Sequence, residues 1–124
     1  MTVEAFSVYS ERIGPVHRLT PVGELDIATA TILERAFETA ESGDAELIVV
    51  DLRRLSFMDS RGIHLLVQMD CACLGCNRLR LIAGASGIDR LLELAGVREH
   101  LPIVREDRRA VVRGAAADRQ AITA

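Results

Sequence analysis

Residues 47–52 form an apolar run that restricts the fold of this chain more than any other feature. The run reads Leu-Ile-Val-Val-Asp-Leu and is rich in β-branched residues. A short, nearly continuous run of this kind is typical of a strand whose two faces are both covered by other parts of the protein. We therefore expect residues 47–52 to form a central strand of a sheet.

Alternating polarity and turn residues predict the other strands. Residues 6–10 are expected to form a short edge strand and residues 16–19 its partner, with a turn at residues 13–15 between them. The proline and glycine of residues 21–26 predict a bend that leads into a helix. Further strands are expected at residues 78–83 and 101–104.

Apolar side chains recur at helical spacing in three segments, which predict helices at residues 28–41, 60–74 and 88–95. Asp26 and Thr29 are the candidate N-caps of the first helix. Two opening strands followed by alternating helices and strands imply an α/β fold whose inner strands lie parallel.

The length of 124 residues suits one compact domain. We expect this domain to span residues 1–104. The periodic pattern weakens after residue 104, and residues 105–124 are rich in arginine and alanine without a wide apolar face. This segment is interpreted as a C-terminal tail that is weakly helical or frayed.

Composition and charge exclude several classes of function. The net charge is -3, which argues against direct binding of nucleic acid. All 15 basic residues are arginines, so no lysine is present to form a Schiff base or to act in a phosphate-binding loop. The sequence shows neither a signal peptide nor an apolar run long enough to span a membrane. With three cysteines and no export signal, a cytoplasmic location with free thiols is expected.

Residues 51–62 link the central strand to the second helix and are the most informative segment for function. In α/β sheets, ligands and partners usually meet the loops at the carboxyl ends of the strands. Ser60 is expected at the N-terminus of the helix, where its hydroxyl can accept a backbone hydrogen bond. Gly62 would let another surface approach the backbone closely. Capping alone, however, also accounts for Asp59 or Ser60 at this position.

Three segments together resemble a known family, namely residues 19–26 (LTPVGELD), 50–52 (VDL) and 57–62 (FMDSRG). They resemble the STAS pattern of bacterial anti-sigma factor antagonists, and residues 91–97 look like a later segment of that family. The resemblance covers most of residues 6–104. It implies a STAS-like α/β fold with a four- to five-stranded mixed sheet and three to four helices.

The resemblance also implies a mechanism of partner switching. In this family the serine of the Asp-Ser step is the phosphoacceptor, which maps to Ser60. The unmodified protein binds an anti-sigma factor that is also a serine kinase, phosphorylation abolishes binding, and a PP2C-type phosphatase restores it. No cofactor, membrane or nucleic acid is implied, and self-association is left open. The residues expected at or near the partner-binding site are Gly23, Asp26, Met58, Asp59, Arg61 and Gly62.

One position departs from the family pattern. The residue after the phosphoacceptor is often serine or threonine in the family, and here it is Arg61. Its guanidinium could pair with a phosphate on Ser60 or with a carboxylate of a partner. It could equally be a solvated residue of the first helical turn.

Other functions remain as alternatives. A STAS module without a switch could act as a scaffold subunit or as a sensor of a small ligand or nucleotide. A hydrolase would need a histidine near Ser60, and His64, four residues later, could share the same side of the helix. A Ser-x-x-x-His pair on one helix is not a known nucleophile arrangement, however, and the nucleophile-elbow motif is absent, so an enzyme is not expected. Zinc is not expected either, because the cysteines of residues 71–76 form one short cluster without a second ligand pair. These cysteines are Cys71, Cys73 and Cys76.

Overall fold

The structure is a computed structural model that describes residues 5–73, 77–83, 87–104 and 118–123. Seven strands, three α-helices and one 3-10 turn lie in these ranges. In chain order they are β1 (Ser7–Ile13), β2 (Val16–Leu25), α1 (Ala30–Glu41), β3 (Leu47–Asp51), β4 (Leu55–Met58), α2 (Ser60–Ala72), β5 (Leu79–Ile82), α3 (Gly87–Leu94), the 3-10 turn (Arg98–His100), β6 (Ile103–Val104) and β7 (Asp118–Thr123).

The strands form one mixed sheet in the order β6-β5-β3-β2-β1-β7, and β4 pairs with the end of β2. Strands β2, β3, β5 and β6 run parallel to one another, and β4 is parallel to β2. Strand β1 is antiparallel to both β2 and β7. The predicted α/β fold with parallel inner strands is therefore confirmed, although the described sheet holds more strands than the four or five expected.

The central strand β3 is buried on both faces, as its apolar run predicts. Ile48 and Val50 belong to the main hydrophobic core, which also contains the buried faces of the three helices. Val49 points to the opposite side of the sheet and packs with Val16 and Ile82 in a second, smaller cluster. All three of the consecutive residues 48–50 are 0% exposed. Because neither face of β3 reaches solvent, its carboxyl end is held firmly in the sheet.

A buried ion pair network closes the carboxyl end of β3. The Asp51 carboxylate is 2.5 Å from the Arg18 guanidinium and 2.8 Å from that of Arg53, and it also accepts the Arg53 backbone amide at 3.0 Å. Burial is the largest single effect on the Asp51 pKa and raises it. The hydrogen bonds from Arg53 and Arg18 together outweigh burial and hold this pKa below its usual value of 3.8. The network joins β2, β3 and the turn before β4.

Residues 21–25 of the predicted bend instead belong to a strand. Strand β2 pairs with β3 from Val16 to Leu19 and with β4 from Gly23 to Leu25, with a register shift between Gly23 and Glu24. Strand β4 was not predicted, and its residues were assigned to the link between the central strand and the second helix. A strand of four residues with two exposed side chains carries too little periodicity to be recognised from sequence.

The C-terminal expectation is wrong for residues 118–123. These residues form β7, which pairs antiparallel with β1 from Ser7↔Thr123 to Arg12↔Asp118. Strand β1 is therefore not an edge strand. The backbone of β1 offers a row of hydrogen-bonding groups, and pairing with it overrides the weak helical preference of this segment. Residues 105–117 of the predicted tail lie outside the described residues.

Within the described ranges, no helix combines the length and the apolar character that crossing a bilayer requires.

Candidate functional site

The candidate site lies where two paired parallel strands end. Leu25, the last residue of β2, pairs with Met58, the last residue of β4. The Asp59 amide then donates a hydrogen bond to the Leu25 carbonyl at 3.2 Å. Asp26 and Asp59 therefore follow from neighbouring positions of adjacent strands, which lie about 4.8 Å apart in a sheet. Two carboxylates, each at the start of a helical segment, are brought to one edge.

Asp59 caps α2. Its backbone is extended, and its carboxylate accepts the amides of Arg61 at 2.9 Å and Gly62 at 3.3 Å. Ser60 is the first residue of the helix and is exposed to solvent. The expectation that the Ser60 hydroxyl itself accepts a backbone amide as the cap is thus corrected. Since Asp59 satisfies these amides, capping does not engage the Ser60 hydroxyl.

Asp26 organises the loop between β2 and α1. Its carboxylate accepts the amides of Ala28 at 2.9 Å and Thr29 at 3.1 Å. Thr29 occupies the N-cap position of α1, but its side chain makes no capping bond and instead donates to the Glu24 carbonyl at 2.7 Å. Of the two predicted caps, Thr29 therefore holds the N-cap position without a side-chain capping bond, and Asp26 accepts two amides that precede the helix. The helix begins at residue 30, two residues later than predicted.

Gly62 is buried, and the close approach it permits is internal. A Cβ at this position would lie 2.4 Å from Met58 Cγ and 3.0 Å from Leu25 Cδ2. Met58 is itself only 3% exposed. Glycine is therefore required for α2 to pack onto the ends of β2 and β4. Gly62 and Met58 are therefore buried beneath the exposed candidate site and do not form its surface.

Gly23 has a similar supporting role where β2 begins to pair with β4. Its φ of +114° lies in a region that side chains disfavour, and a Cβ would lie 3.3 Å from Phe6 Cα. Strand β2 changes partner here, from β3, with which it pairs as far as Leu19, to β4, with which it pairs from Gly23 onward. Asp26 reaches its position beside Asp59 because of this change of partner.

A shallow groove runs between α1 and α2 next to the two aspartates. It has a volume of about 320 Å³ and is lined by Ile27, Ala30, Thr31, Glu34, Arg61, Leu65 and Gln68. Arg61 is exposed, and Ile27 is 69% exposed although it is a large apolar residue. Sequence reasoning missed Ile27, because one isoleucine after an Asp-capped turn gives no periodic signal.

The cysteines and histidines do not gather at this site. Cys71 is exposed and Cys73 is buried at the far end of α2, and Cys76 lies outside the described residues. Within the part of the chain that the structure describes, no group of three His, Cys, Asp or Glu residues could hold a metal ion. His64 is exposed on α2, whereas His17 is half-buried in the hairpin and lies 2.6 Å from the Ser10 hydroxyl.

The pattern of residues on these elements matches a known family. Residues 13–105 match the family described as "Mlab, STAS domain". The chain belongs to the STAS family. The matched segment includes β2 to β6 and with them the candidate site around Ser60. No curated protein is significantly similar to the chain in sequence.

Two solved structures resemble this STAS domain. One is the crystal structure of an anti-sigma factor antagonist from Mycobacterium paratuberculosis, with a TM-score of 0.77 and 21% identity over 89% of this chain and 94% of that chain. The other is the anti-sigma factor antagonist SpoIIAA in its unphosphorylated form, with a TM-score of 0.65 and 21% identity over 87% of this chain and 93% of that chain. At this identity the likeness concerns the fold, and it confirms the predicted STAS-like architecture.

Proposed function

We propose that this STAS domain is an anti-sigma factor antagonist that is switched by phosphorylation of Ser60. In its unmodified form it binds an anti-sigma factor that is also a serine kinase, and a sigma factor is thereby freed for transcription. Phosphorylation releases the antagonist, and a PP2C-type phosphatase restores it. The chain acts as a cytoplasmic binding module, and it is the substrate of these enzymes and not an enzyme itself.

The observation that carries the proposal is the exposure of the Ser60 hydroxyl beside two fixed carboxylates. A kinase needs a hydroxyl that it can reach, and capping of α2 by Asp59 does not use this one. The backbone at Ser60 is held by the Asp59 cap and by the tight packing of Gly62 on Met58. A phosphoacceptor on a rigid element is presented in one orientation, which favours in-line transfer.

The chemistry of the switch balances without a cofactor on this chain. The kinase transfers the γ-phosphoryl group of ATP, so that the bond from γ-phosphorus to the β,γ-bridging oxygen breaks and a bond from Ser60 Oγ to phosphorus forms. The hydroxyl proton passes to a base of the kinase, and ADP leaves. In the reverse branch the phosphatase uses water to release inorganic phosphate and to restore the hydroxyl.

Electrostatics explain why the modification would weaken binding. A phosphoserine adds about -1.5 to -2 charges at a site that already holds Asp26 and Asp59. Two like charges 4 Å apart repel by about 4 kcal/mol at an effective dielectric constant of 20. If half of this acts between the phosphate and a partner carboxylate, binding weakens about thirtyfold.

The helix N-terminus offsets little of this repulsion. The amides of Arg61 and Gly62 already donate to Asp59, so they are not available to a phosphate on Ser60. The Asp59 carboxylate also compensates the positive end of the helix dipole, which is worth only about 0.3 to 1 kcal/mol. The negative charge of the phosphate therefore still acts on any protein that docks on the site.

The experiment that tests the proposal incubates the full chain with ATP and each candidate anti-sigma factor kinase of the same cell. One phosphate should be added to the wild type and none to Ser60→Ala. The matched control is Ser56→Ala, because Ser56 is an exposed serine on β4 and its loss should leave phosphorylation unchanged. Phosphate on another residue of the wild type would contradict the assignment.

Binding to the kinase is the second readout. Calorimetry should find that Ser60→Asp binds more weakly than the wild type, whereas Ser60→Ala retains binding. Equal affinities of wild type and Ser60→Asp would argue against a switch. A chain that binds its partner but is never phosphorylated would fit the alternative of a STAS module without a switch.

A further inference from the structure

The groove between α1 and α2 is the strongest unassigned feature of the surface, and it opens beside Ser60. We propose that this groove is the specificity pocket for the kinase partner, where Ile27 contacts an apolar side chain and Arg61 a carboxylate of that partner. This inference rests on the proposed function and deepens it. It assigns Ile27, Glu34 and Gln68 to a surface that the sequence did not single out.

The shape of the groove fits a protein surface better than a small molecule. Five of its seven lining residues are exposed, and only Ala30 and Leu65 form a buried floor. Pockets for small ligands bury most of the ligand surface, which this open groove cannot do. A single protruding side chain of a partner, with the surrounding partner surface covering the rim, would fill it.

The exposure of Ile27 offers a partner an apolar contact at the rim of the groove. Among the described residues only four large apolar side chains are exposed, and Ile27, at 69%, is one of the two most exposed of them. Burying such a side chain fully is worth about 1.5 to 3 kcal/mol. Ile27 directly follows Asp26, so it is held by the same capped loop that forms the phosphorylation site.

The groove is close enough to Ser60 to lie under the same partner. A standard interface buries about 800 Å² on each protein, which corresponds to a patch of about 16 Å radius. Gln68, at the far end of the groove, lies eight residues along α2 from Ser60, or about 12 Å at 1.5 Å per residue. A kinase that reaches the Ser60 hydroxyl with an ordinary interface therefore covers the groove.

Charge decides the chemistry of the occupant. The aspartates at the strand ends and Glu34 on the α1 side of the groove are negative, and Arg61 supplies the cation on the α2 side. A partner carboxylate would form a charge-assisted pair with this guanidinium. Phosphate on Ser60, the preceding residue, would compete for Arg61 and repel the same carboxylate. Arg61 thus makes the pocket selective and couples it to the switch.

The test measures binding of the kinase that phosphorylates the wild-type chain. Ile27→Ser and Arg61→Gln should each weaken binding about tenfold or more, with unchanged circular dichroism and melting temperature, because both side chains are exposed. Binding of Arg61→Gln should also depend less on salt than that of the wild type, since a screened ion pair is lost. Arg61→Lys should retain part of the affinity.

Two matched controls lie outside the groove. Leu94→Ser removes an exposed leucine from α3, and Arg35→Gln removes an exposed arginine from the outer face of α1. Both should bind the kinase within about twofold of the wild type. Losses at the controls equal to those at Ile27 and Arg61 would overturn the inference, because the effect would not be specific to the groove.

The outcomes separate this inference from the proposed function. A wild type that is phosphorylated on Ser60, together with Ile27→Ser and Arg61→Gln variants that bind normally, overturns the specificity pocket and leaves the switch intact. A wild type that no kinase phosphorylates on Ser60 overturns the proposed function and the inference with it. Weakened binding of both groove variants with intact controls supports both.

Discussion

Asp26 and Asp59 stand side by side because each follows the last residue of one of two paired parallel strands. Each carboxylate also accepts the free amides of the segment that follows it. The two loops of the site are therefore fixed independently of a partner. This arrangement gives Ser60 and Ile27, the next residue in each loop, a defined position on the surface.

Replacing Gly62 with alanine should destabilise the domain by about 1 to 3 kcal/mol. The new Cβ would lie 2.4 Å from Met58 Cγ and 2.9 Å from its sulfur, and the buried Met58 side chain has little room to move. Urea unfolding would measure the loss. Gly87→Ala is the matched control, because a Cβ at the start of α3 meets nothing within 4 Å and should change stability little. Equal effects of the two substitutions would contradict the packing role of Gly62.

Replacing Asp59 with alanine should cost about 1 kcal/mol, because two amides at the start of α2 lose their acceptor. Asp59→Asn should lose much less, since asparagine also caps helices well. Thermal unfolding at neutral pH distinguishes the two variants. If alanine and asparagine were equally destabilising, the negative charge and not the cap would be the important contribution of Asp59.

The Asp51 network should make stability sensitive to acid. Because the folded-state pKa of Asp51 lies below its usual 3.8, its contribution is complete above pH 3.8 and is lost as the pH falls through the lowered pKa. Asp51→Asn should lower the free energy of unfolding by about 2 kcal/mol at neutral pH. Removing one partner of a fully buried ion pair costs about 3 to 5 kcal/mol, and the loss here is smaller because Arg18 and Arg53 reach water.

Unfolding titrations of wild type and Asp51→Asn between neutral pH and pH 2 provide the measurement. The difference between the two curves should shrink as the pH falls below 3.8. Asp44→Asn serves as a control, because Asp44 pairs with Arg12 on the surface with 91% of its side chain exposed. A surface pair of this kind contributes little, so its removal should hardly change stability.

His17 should give a second, milder pH dependence. Burial, and to a smaller extent the nearby Arg12, lower the pKa of His17 below its usual 6.5. The unfolded chain binds this proton more readily than the folded chain does. The contribution of neutral His17 to stability is therefore complete above pH 6.5 and is lost as the pH drops through the lowered pKa. In urea unfolding titrations across the neutral and mildly acidic range, His17→Gln should flatten this part of the profile.

Local patterns predicted most of the fold. The apolar run at residues 47–52 placed the central strand, and helical periodicity placed the ends of α1, α2 and α3 to within two residues. These elements carry strong patterns because each buries a wide apolar face. Strands β4 and β7 were missed because they are defined by pairing with β2 and β1 and not by their own periodicity.

The site was predicted in part. Asp26, Asp59 and Ser60 were expected at this edge, and the structure places all three there. The roles of neighbouring glycines were harder to foresee, since Gly62 and Gly23 were expected near a partner and are buried against Met58 and Phe6. Whether a small residue faces outward or inward depends on tertiary packing, which a single sequence does not reveal.

Strand β7 has a practical consequence for handling the protein. It covers the backbone of β1, so a version truncated before residue 118 would expose the edge of the six β1 residues Ser7 to Arg12 that β7 pairs with. Such an edge can recruit the same edge of another molecule and promote aggregation. Insoluble material from a shortened protein would then report an uncapped sheet, even if the region around Ser60 were fully intact.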